Sequence, residues 1–508
     1  MSMARYEVPD KIHLIQGKIQ SVLIFSHVGR FLSVDNNLLP IILRLQNGPI
    51  ETGDPFEIGV FESLRKLGLF NKVIQSGPEI FLKPSPYLII LPTAKCPLQC
   101  IYCSSNSSAN GRTLSFPQIQ PAIDEMIEAA DSGAGKAYLT VTGGGEPLMA
   151  IDLLQHMLDY AEQKAASAKV ELKPYLVTSG ICDIPKILFA RARFARITIS
   201  ADGPALVQNF QRPLASGRPS FEIVEKSLNL LDENFSNYDV RVTITPDSAD
   251  RLPAIFEHYA EKHRPFAVNF APVTNTGRAK NQNWQAFDVE TFVGGAMTVA
   301  KMSRKTGVGA SIAEIPIPAV FQLADPGYAS EAPSLFFGLR QAKVITPEGW
   351  ISMVPEVCSS DDPLQNLCNI GEIRDRKTYI NKTRLRKLID FLKINRCIEC
   401  PINHGCDAIN KLSCAMGNPG IKCQIVEPLL QSSFTQPWLD RKEIRHLEPV
   451  HVKKNCLLCG YCESICPTHA IAMLSSGPMR NSSLCDYCFR CVRLCPKRCW
   501  MLKLKSAN

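Results

Sequence analysis

Three cysteines stand close together shortly after a strongly apolar stretch of the chain. They follow the pattern Cys96-x3-Cys100-x2-Cys103. Thiolates at this spacing can bind three irons of a 4Fe–4S cube and leave the fourth iron open to the amino and carboxylate groups of a small molecule. A zinc loop or a ferredoxin fragment is the alternative, but the spacing is unusual for zinc and the next cysteine is Cys182. The group therefore predicts a cluster with one reactive iron.

A second group of seven cysteines lies between residues 338 and 430. One complete four-cysteine site can be built from the later members of this group: Cys397, Cys400, Cys406 and Cys423. Three cysteines then remain for a second site, which is open or completed by another ligand: Cys358, Cys368 and Cys414. The group predicts up to two auxiliary 4Fe–4S clusters. Two structural zinc sites are the alternative, because a Cys-x2-Cys pair by itself suits zinc.

The C-terminal segment carries two copies of a four-cysteine run, Cys-x2-Cys-x2-Cys-x3-Cys-Pro. This run is typical of bacterial ferredoxins with two 4Fe–4S clusters, in which the fourth cysteine of each run binds the other cluster. One cluster is therefore predicted on Cys456, Cys459, Cys462 and Cys495. The other is predicted on Cys485, Cys488, Cys491 and Cys466. Of the 20 cysteines in the chain, only Cys182 and Cys499 are left outside the three groups, and both are expected to be plain thiols.

The elements around the first group indicate how it is positioned. An apolar run at residues 87–91 predicts a buried strand that ends just before Cys96. Helix-like and strand-like segments then alternate along the chain: helices at 151–166, 184–193, 221–231 and 252–262, and strands at 174–178, 196–200, 239–245 and 266–272. This alternation predicts a parallel, partly closed α/β barrel, in which function collects at the C-terminal ends of the strands.

These features together resemble the radical S-adenosylmethionine superfamily. The cysteine pattern carries an aromatic residue, Tyr102, before its last cysteine, and a later strand runs into Gly144, Gly145 and Glu146. The resemblance implies a partial (β/α)6 barrel over residues 79–305, with a cluster on Cys96, Cys100 and Cys103 that reductively cleaves S-adenosylmethionine. It also implies the residues that contact this cofactor: Tyr102, Gly144, Gly145, Glu146, Ser200 and Arg212.

The order of the second cysteine group resembles the SPASM extension, which carries two auxiliary clusters in enzymes that modify peptides. Residues 344–349 and 369–371 match its β-hairpin elements. The chain departs from that pattern at Val354, where the extension has a cysteine, and in the long gap between Cys406 and Cys414. The resemblance implies a cysteine-rich SPASM-like domain over 338–430, after a connector at 306–337. A linker at 431–447 then leads to an α+β ferredoxin domain at 448–508.

Residues 1–78 contain no cysteine and need another explanation. Strands are predicted at 21–25 and 30–34, and a helix over 38–45. A second helix is predicted to begin at Asp54 and Pro55, a capping residue followed by proline at the first helical position. The pattern resembles the winged-helix-like domain that recognises precursor peptides in maturases of ribosomally synthesised peptides. A helical cap packed on the barrel is the alternative.

The length and charge of the chain limit the number of domains and the kinds of partner that the sequence allows. The chain has 508 residues and a formal net charge of +8, from 56 Lys and Arg against 48 Asp and Glu. The length indicates several domains, and the basic residues are too scattered to predict a nucleic-acid partner. No apolar run approaches the ~20 residues of a membrane span, and the N-terminus has no signal-peptide pattern. We expect a cytoplasmic protein. A reducing compartment disfavours disulfides, so the cysteines are available to bind metal.

The sequence therefore predicts a radical S-adenosylmethionine enzyme that abstracts hydrogen from a peptide or protein. The expected outcome is a post-translational modification such as a cross-link or thioether. The ferredoxin domain would pass electrons inward from a donor such as ferredoxin or flavodoxin. An activating enzyme, which installs a glycyl radical or oxidises an active-site residue of a partner, is one alternative. A non-catalytic electron carrier or redox sensor is another, although such a protein needs no cofactor pocket around Gly144, Ser200 and Arg212.

Overall fold

The structure is a computed structural model, and it describes the larger part of the chain. The described residues are 4–8, 12–16, 20–25, 30–66, 69–70, 84–234, 237–284, 286–312, 315–316, 342–356, 365–392, 424, 428, 447–451, 456–464, 466, 469–485, 491 and 499–504. Several predicted cluster ligands lie outside these residues: Cys358, Cys397, Cys400, Cys406, Cys414, Cys423, Cys488 and Cys495.

The N-terminal segment has a core of its own. Its strands are β1 (Ala4–Tyr6), β2 (Ile12–Ile15), β3 (Gln20–Phe25), β4 (Arg30–Asp35) and β5 (Ile50–Thr52), and its helices are α1 (Leu39–Leu43) and α2 (Pro55–Lys66). Strands β2, β3 and β4 form an antiparallel sheet in chain order, and β1 pairs with β5. As predicted, the Asp54 carboxylate caps α2 by accepting from the backbone N–H groups of Phe56 and Glu57. The buried apolar residues of this core all lie between Tyr6 and Leu69.

A parallel sheet of seven strands in chain order forms the centre of the molecule. Its strands are β6 (Tyr87–Ile90), β7 (Lys136–Val141), β8 (Glu171–Thr178), β9 (Arg196–Ser200), β10 (Tyr238–Ile244), β11 (Ala267–Pro272) and β12 (Gly309–Ile312). The accompanying helices are α3 (Gln120–Asp131), α4 (Ile151–Ser167), α5 (Ile184–Arg193), α6 (Ala205–Gln211), α7 (Phe221–Asn234), α8 (Leu252–Lys262) and α9 (Val289–Thr306). The predicted α/β class is confirmed.

The alternation of side chains along each strand explains how this sheet is covered. In β7, Ala137, Leu139 and Val141 are buried and join one large core with the apolar faces of the helices. The residues between them are less buried and point to the other face, where the rings of Tyr87 and Tyr138 stack with centroids 4.8 Å apart. One face of the sheet is therefore closed by helices, while the other keeps polar side chains.

The sheet continues beyond the barrel into the predicted auxiliary region. Strand β14 (Lys343–Ile345) pairs in parallel with β6, and β15 (Trp350–Ser352), β16 (Asn369–Arg374) and β17 (Lys377–Ile380) follow as antiparallel neighbours. At the opposite edge, β13 (Ile315–Pro316) pairs with β12. Helices α10 (Gln365–Cys368) and α11 (Lys382–Leu392) accompany this region. The predicted hairpin elements are thus joined to the barrel by backbone hydrogen bonds, and Glu125 of α3 also contacts Lys343 and Thr378.

The C-terminal region is built from short elements. Strand β18 (Leu447–His451) pairs with β21 (Trp500–Leu504), and β19 (Ile471–Leu474) pairs with β20 (Gly477–Arg480), with α12 (Tyr461–Ser464) before them. Cys462 and Cys466 pack against a small core of Ile471, Cys491 and Trp500. Throughout the part of the chain that the structure describes, no helix is both long and apolar enough to cross a bilayer.

Candidate active site

The loop that carries the first three cysteines follows β6, at the C-terminal edge of the parallel sheet. Its backbone is tied to the segment that ends α6, because the N–H of Gln99 donates to the carbonyl of Pro213 at 2.8 Å. The N–H of Ile101 donates to Gln211 at 3.0 Å, and the N–H of Cys96 donates to Ser108 at 2.9 Å. These bonds hold the cysteine loop at the C-terminal edge of the sheet, where the sequence predicts the active site.

A second anchor comes from the segment after β11. The Arg278 backbone N–H donates to the carbonyl of Cys103 at 2.9 Å, and its Nε donates to the carbonyl of Cys100 at 2.7 Å. The residue before it, Gly277, has a φ of +51°, and a Cβ at this position would lie 2.2 Å from the Cys103 carbonyl oxygen. Only glycine allows this close approach. Arg278 and Gly277 therefore position the backbone of two predicted cluster ligands.

The glycine-rich segment after β7 lies against the start of the same loop. A Cβ on Gly145 would lie 2.1 Å from the Lys95 carbonyl oxygen, and the Glu146 N–H donates to that oxygen at 2.7 Å. The predicted contact residues Gly144, Gly145 and Glu146 are thus brought beside Cys96 by backbone contact.

The Glu146 carboxylate is buried and joins the ends of β7 and β8. Its Oε1 accepts from Thr178 Oγ1 at 2.5 Å and from the Leu148 N–H at 3.1 Å. Its Oε2 accepts from the N–H and the hydroxyl of Ser179, at 2.7 and 2.5 Å. Among the described residues no Lys or Arg side chain pairs with it. A buried carboxylate that is held by neutral donors alone attracts a positively charged ligand group.

A polar network links the cysteine loop to the end of β9. The Tyr102 hydroxyl donates to Asp202 Oδ2 at 2.5 Å and accepts from Arg212 Nη1 at 2.7 Å. Asp202 is fully buried and is held by the Thr243 N–H at 2.9 Å and by Gln211 Nε2 at 2.8 Å. The network positions the Arg212 guanidinium, whose Nε is buried and has no hydrogen-bond partner within the described ranges.

Burial and neighbouring charges set the electrostatics of this group. Burial raises the pKa of the Cys96 thiol to about 12 and that of Cys100 to about 11. Burial lowers the pKa of Arg212, but the neighbouring Cys100 and Tyr102 outweigh it and the pKa is raised overall. Arg212 therefore stays cationic, and its unpaired Nε suits a carboxylate.

These residues fit S-adenosylmethionine on two observations. Arg212 offers a buried, unpaired guanidinium N–H for a carboxylate, and Glu146 supplies buried negative charge for an ammonium. Arg212 donates to Tyr102 of the cysteine loop, and the Glu146 N–H donates to the Lys95 carbonyl just before Cys96. An amino acid moiety carries this pair of groups.

The other predicted site residues are placed as follows. Ser200 ends β9, two residues before Asp202. Cys368 is buried at the end of α10, Cys491 belongs to the small C-terminal core, and Cys462 and Cys466 pack against that core. The described part of the chain does not place enough of the auxiliary and ferredoxin cysteines to define their clusters, so those ligand sets stay predictions.

Two residues of the site were not assigned from the sequence. Asp202 and Arg278 each follow the C-terminal end of a parallel strand, β9 and β11, and each stands next to a glycine. That position was a usable signal, because polar residues at these strand ends collect at one edge of the sheet.

Comparison with known families identifies two segments of the chain. Residues 90–258 match the Radical SAM superfamily, and residues 449–472 match the 4Fe-4S binding domain family. The chain therefore contains a radical SAM enzyme domain and a ferredoxin-type 4Fe–4S domain. The predictions of a radical SAM barrel and of a ferredoxin-type domain are confirmed for these two segments, which supports S-adenosylmethionine and 4Fe–4S clusters as cofactors.

Several similar curated proteins are sulfatase-maturating enzymes. The chain is 22% identical over 192 residues to a cysteine-type anaerobic sulfatase-maturating enzyme of Clostridium perfringens, a match that covers 36% of this chain and 50% of that protein. It is 26% identical over 208 residues to a serine-type anaerobic sulfatase-maturating enzyme of Bacteroides thetaiotaomicron, covering 38% and 47%. The chain thus spans about half the length of the curated relatives it matches.

A solved structure shares the fold over a longer stretch. The structure of native anSMEcpe with bound AdoMet has a TM-score of 0.52 and 18% identity, and the match covers 68% of this chain and 96% of that one. A second structure of native anSMEcpe, with AdoMet and a bound peptide, has the same TM-score and 17% identity, again over 68% and 96%. At these identities the likeness supports the fold alone.

Proposed function

We propose that the chain reductively cleaves S-adenosylmethionine and uses the resulting radical to abstract hydrogen from a peptide or protein, as a step of post-translational modification. When bound, the cluster and the cofactor supply one-electron cleavage of a sulfonium and a carbon-centred radical. The observation that carries the proposal is the buried Arg212 guanidinium, which Tyr102 and Asp202 hold beside Cys100 with its Nε unpaired.

The residues of the chain have three separate tasks in this proposal. Cys96, Cys100 and Cys103 hold the cluster on the loop after β6. Arg212 and Glu146 orient the amino acid moiety of the cofactor through opposite charges. The helices behind the sheet exclude water from the buried side, which protects a reactive intermediate.

A peptide or protein substrate is supported by the relatives, which are maturating enzymes for sulfatases. The N-terminal segment offers one place for such a substrate. Strand β4 lies at the edge of its three-stranded sheet, and within the described residues no further strand pairs with it. An extended peptide could add to this edge through main-chain hydrogen bonds. We propose a cross-link or thioether as the product, because auxiliary clusters can accept the electron that a net two-electron oxidation releases.

Activation of a partner enzyme is a second candidate, favoured by the same relatives, since maturation of a sulfatase is the activation of another enzyme. The two candidates differ in the substrate and agree in the radical chemistry. Mass spectrometry separates them. A short peptide encoded beside this chain that loses two hydrogen atoms would support the first, and a folded partner enzyme that is altered at one residue would support the second.

An anaerobic turnover assay tests the radical chemistry itself. Reconstituted and reduced protein should form 5′-deoxyadenosine from S-adenosylmethionine, and Cys100→Ala should abolish that formation. Cys499→Ser is the matched control, because Cys499 lies outside all three cysteine groups in the C-terminal region and should leave the product level with dithionite unchanged. Absence of 5′-deoxyadenosine from the reconstituted wild-type protein would exclude the proposed activity and favour an electron carrier.

A further inference from the structure

Away from the cysteine loop, three side chains with metal-binding atoms meet between two helices that cover the sheet. Glu225 lies on α7, His258 lies on α8, and His263 follows the end of α8. The two imidazoles are nearly inaccessible to solvent, with side-chain exposures of 5% and 1%. The radical chemistry described above uses none of these residues.

The two distances from the Glu225 carboxylate suit ligands that share a single ion. Glu225 Oε1 lies 3.2 Å from Nε2 of His258 and 3.2 Å from Nε2 of His263. The ligand atoms of all three residues lie within 4.8 Å of one another. Ligands at the ~2.0–2.2 Å bond lengths of a tetrahedral zinc ion are separated by about 3.3 Å. We propose that Glu225, His258 and His263 bind a zinc ion.

A further carboxylate fixes the orientation of one imidazole. Asp232 Oδ2 lies 2.8 Å from His263 Nδ1, and its Oδ1 accepts from the Tyr238 hydroxyl at 2.5 Å and from the Arg264 N–H at 2.8 Å. This contact places the proton of a neutral His263 on Nδ1, so that the lone pair of Nε2 faces Glu225. A carboxylate behind a histidine ligand is the usual outer shell of a zinc site.

The order of affinities among divalent metals favours zinc at this donor set. Two imidazole nitrogens and one carboxylate oxygen suit zinc, and zinc binds such a site more tightly than ferrous iron does. The alternative is a metal-free network in which His263 pairs with Glu225 at 3.2 Å and with Asp232 at 2.8 Å.

The ion would tie α7 to α8 behind the cofactor site. Ile255 of α8 packs directly under Gly203, where a Cβ would lie 2.9 Å from its Cγ1. Gly203 follows Asp202, which holds Tyr102 and so orients Arg212. The proposed role is structural, and it does not depend on the proposed function of the active site.

Zinc bound here can be distinguished from zinc bound by cysteines. X-ray absorption at the zinc edge resolves Zn–S bonds of about 2.3 Å from Zn–N and Zn–O bonds of about 2.0–2.2 Å. The sample is full-length protein with reconstituted clusters, incubated with one equivalent of zinc chloride and desalted. We expect about one zinc per chain with only nitrogen and oxygen ligands.

The variants His263→Gln and Glu225→Gln should lose this sulfur-free zinc while keeping their iron. His156→Gln is the matched control, because His156 is exposed, stacks on Phe116 and lies on α4, which carries none of the three proposed ligands. Zinc should raise the melting temperature of wild type and of His156→Gln but not that of His263→Gln or Glu225→Gln. Because each variant is compared with itself without zinc, the test also works for a variant of lower stability. Wild-type protein without sulfur-free zinc would overturn the proposal, as would retention of that zinc in both variants.

Discussion

At the scale of single residues, the site depends on charges that are buried before any ligand binds. Arg212 is cationic in a buried position because Tyr102 and Asp202 hold it there, and one of its nitrogens has no partner among the described residues. Leaving such a group unpaired costs free energy that a ligand carboxylate would recover. The Arg212 guanidinium is therefore positioned to bind an anion before any ligand is present.

The variant Arg212→Lys tests whether the Arg212 guanidinium binds the carboxylate of S-adenosylmethionine. Lysine keeps the charge but loses the planar fork, so it cannot hold the Tyr102 hydroxyl and a carboxylate together. A charged hydrogen bond contributes about 1.5–3 kcal/mol, so we expect affinity for S-adenosylmethionine to fall about ten- to a hundredfold. Anaerobic titration calorimetry measures the affinity, and iron content should not change.

The control for this substitution is Arg193→Lys. Arg193 pairs with Asp159 and Glu162 on the outer helices, where the same chemical change should leave cofactor affinity intact. Equal affinity in wild type and Arg212→Lys would mean that Arg212 serves only to order the Tyr102 network.

At the scale of elements, loops from several strand ends converge on one short loop. The cysteine loop is contacted by Gly145 after β7, by the segment that ends α6, and by Arg278 after β11. Together these contacts fix the backbone of a segment that contains neither helix nor strand.

Gly277→Ala should disturb the cysteine loop, although Gly277 lies far from that loop in the sequence. A Cβ at Gly277 would clash with the Cys103 carbonyl oxygen at 2.2 Å, on a backbone whose φ of +51° disfavours alanine. The loop must shift, so we expect iron content to fall by up to about four atoms per chain, with a matching loss of 5′-deoxyadenosine formation. Iron analysis and the turnover assay measure both.

Gly294→Ala is the matched control for this change. Gly294 lies in α9, where an added Cβ meets nothing within 4 Å. Alanine there should keep the iron and stabilise the helix by up to about 1 kcal/mol. Full iron content in Gly277→Ala would show that the loop tolerates displacement.

The sequence predicted the elements more fully than the contacts between them. Helix 252–262 and strand 196–200 are predicted with the bounds that the structure gives, because the spacing of apolar residues along the chain is a local signal. The pairing of β14 with β6 was not predicted, because these strands are separated by most of the barrel and strand partners leave no local pattern. The cluster of Glu225, His258 and His263 was missed for the same reason.

At the scale of the whole molecule, the N-terminal segment and the barrel bury separate sets of residues. No barrel residue belongs to the N-terminal core in the described part of the chain. Deletion of residues 1–78 should therefore leave iron content and uncoupled 5′-deoxyadenosine formation unchanged while weakening modification of a peptide. Gel filtration, iron analysis and the turnover assay check this. An aggregated product without iron would instead identify the segment as a cap on the barrel.

The ferredoxin domain gives a prediction about electron supply. Cys488→Ala removes one predicted ligand of the second ferredoxin cluster, a residue outside the described ranges. Turnover driven by flavodoxin or ferredoxin should slow, whereas turnover driven by dithionite should be largely spared. Ser482→Ala, an exposed neighbour, is the control. Equal loss with both reductants would mean that the domain is structural.

The parallel pairing of β14 with β6 has a consequence for electron transfer. Strand β6 leads directly into the cysteine loop, and β14 opens the region that carries the predicted auxiliary ligands, so both are attached to one hydrogen-bonded ladder. The rate of electron tunnelling falls steeply with the distance between redox centres. A shared sheet keeps that distance constant, whereas a flexible linker does not. The sheet would then hold Cys368, which directly precedes β16, at one separation from the cysteine loop.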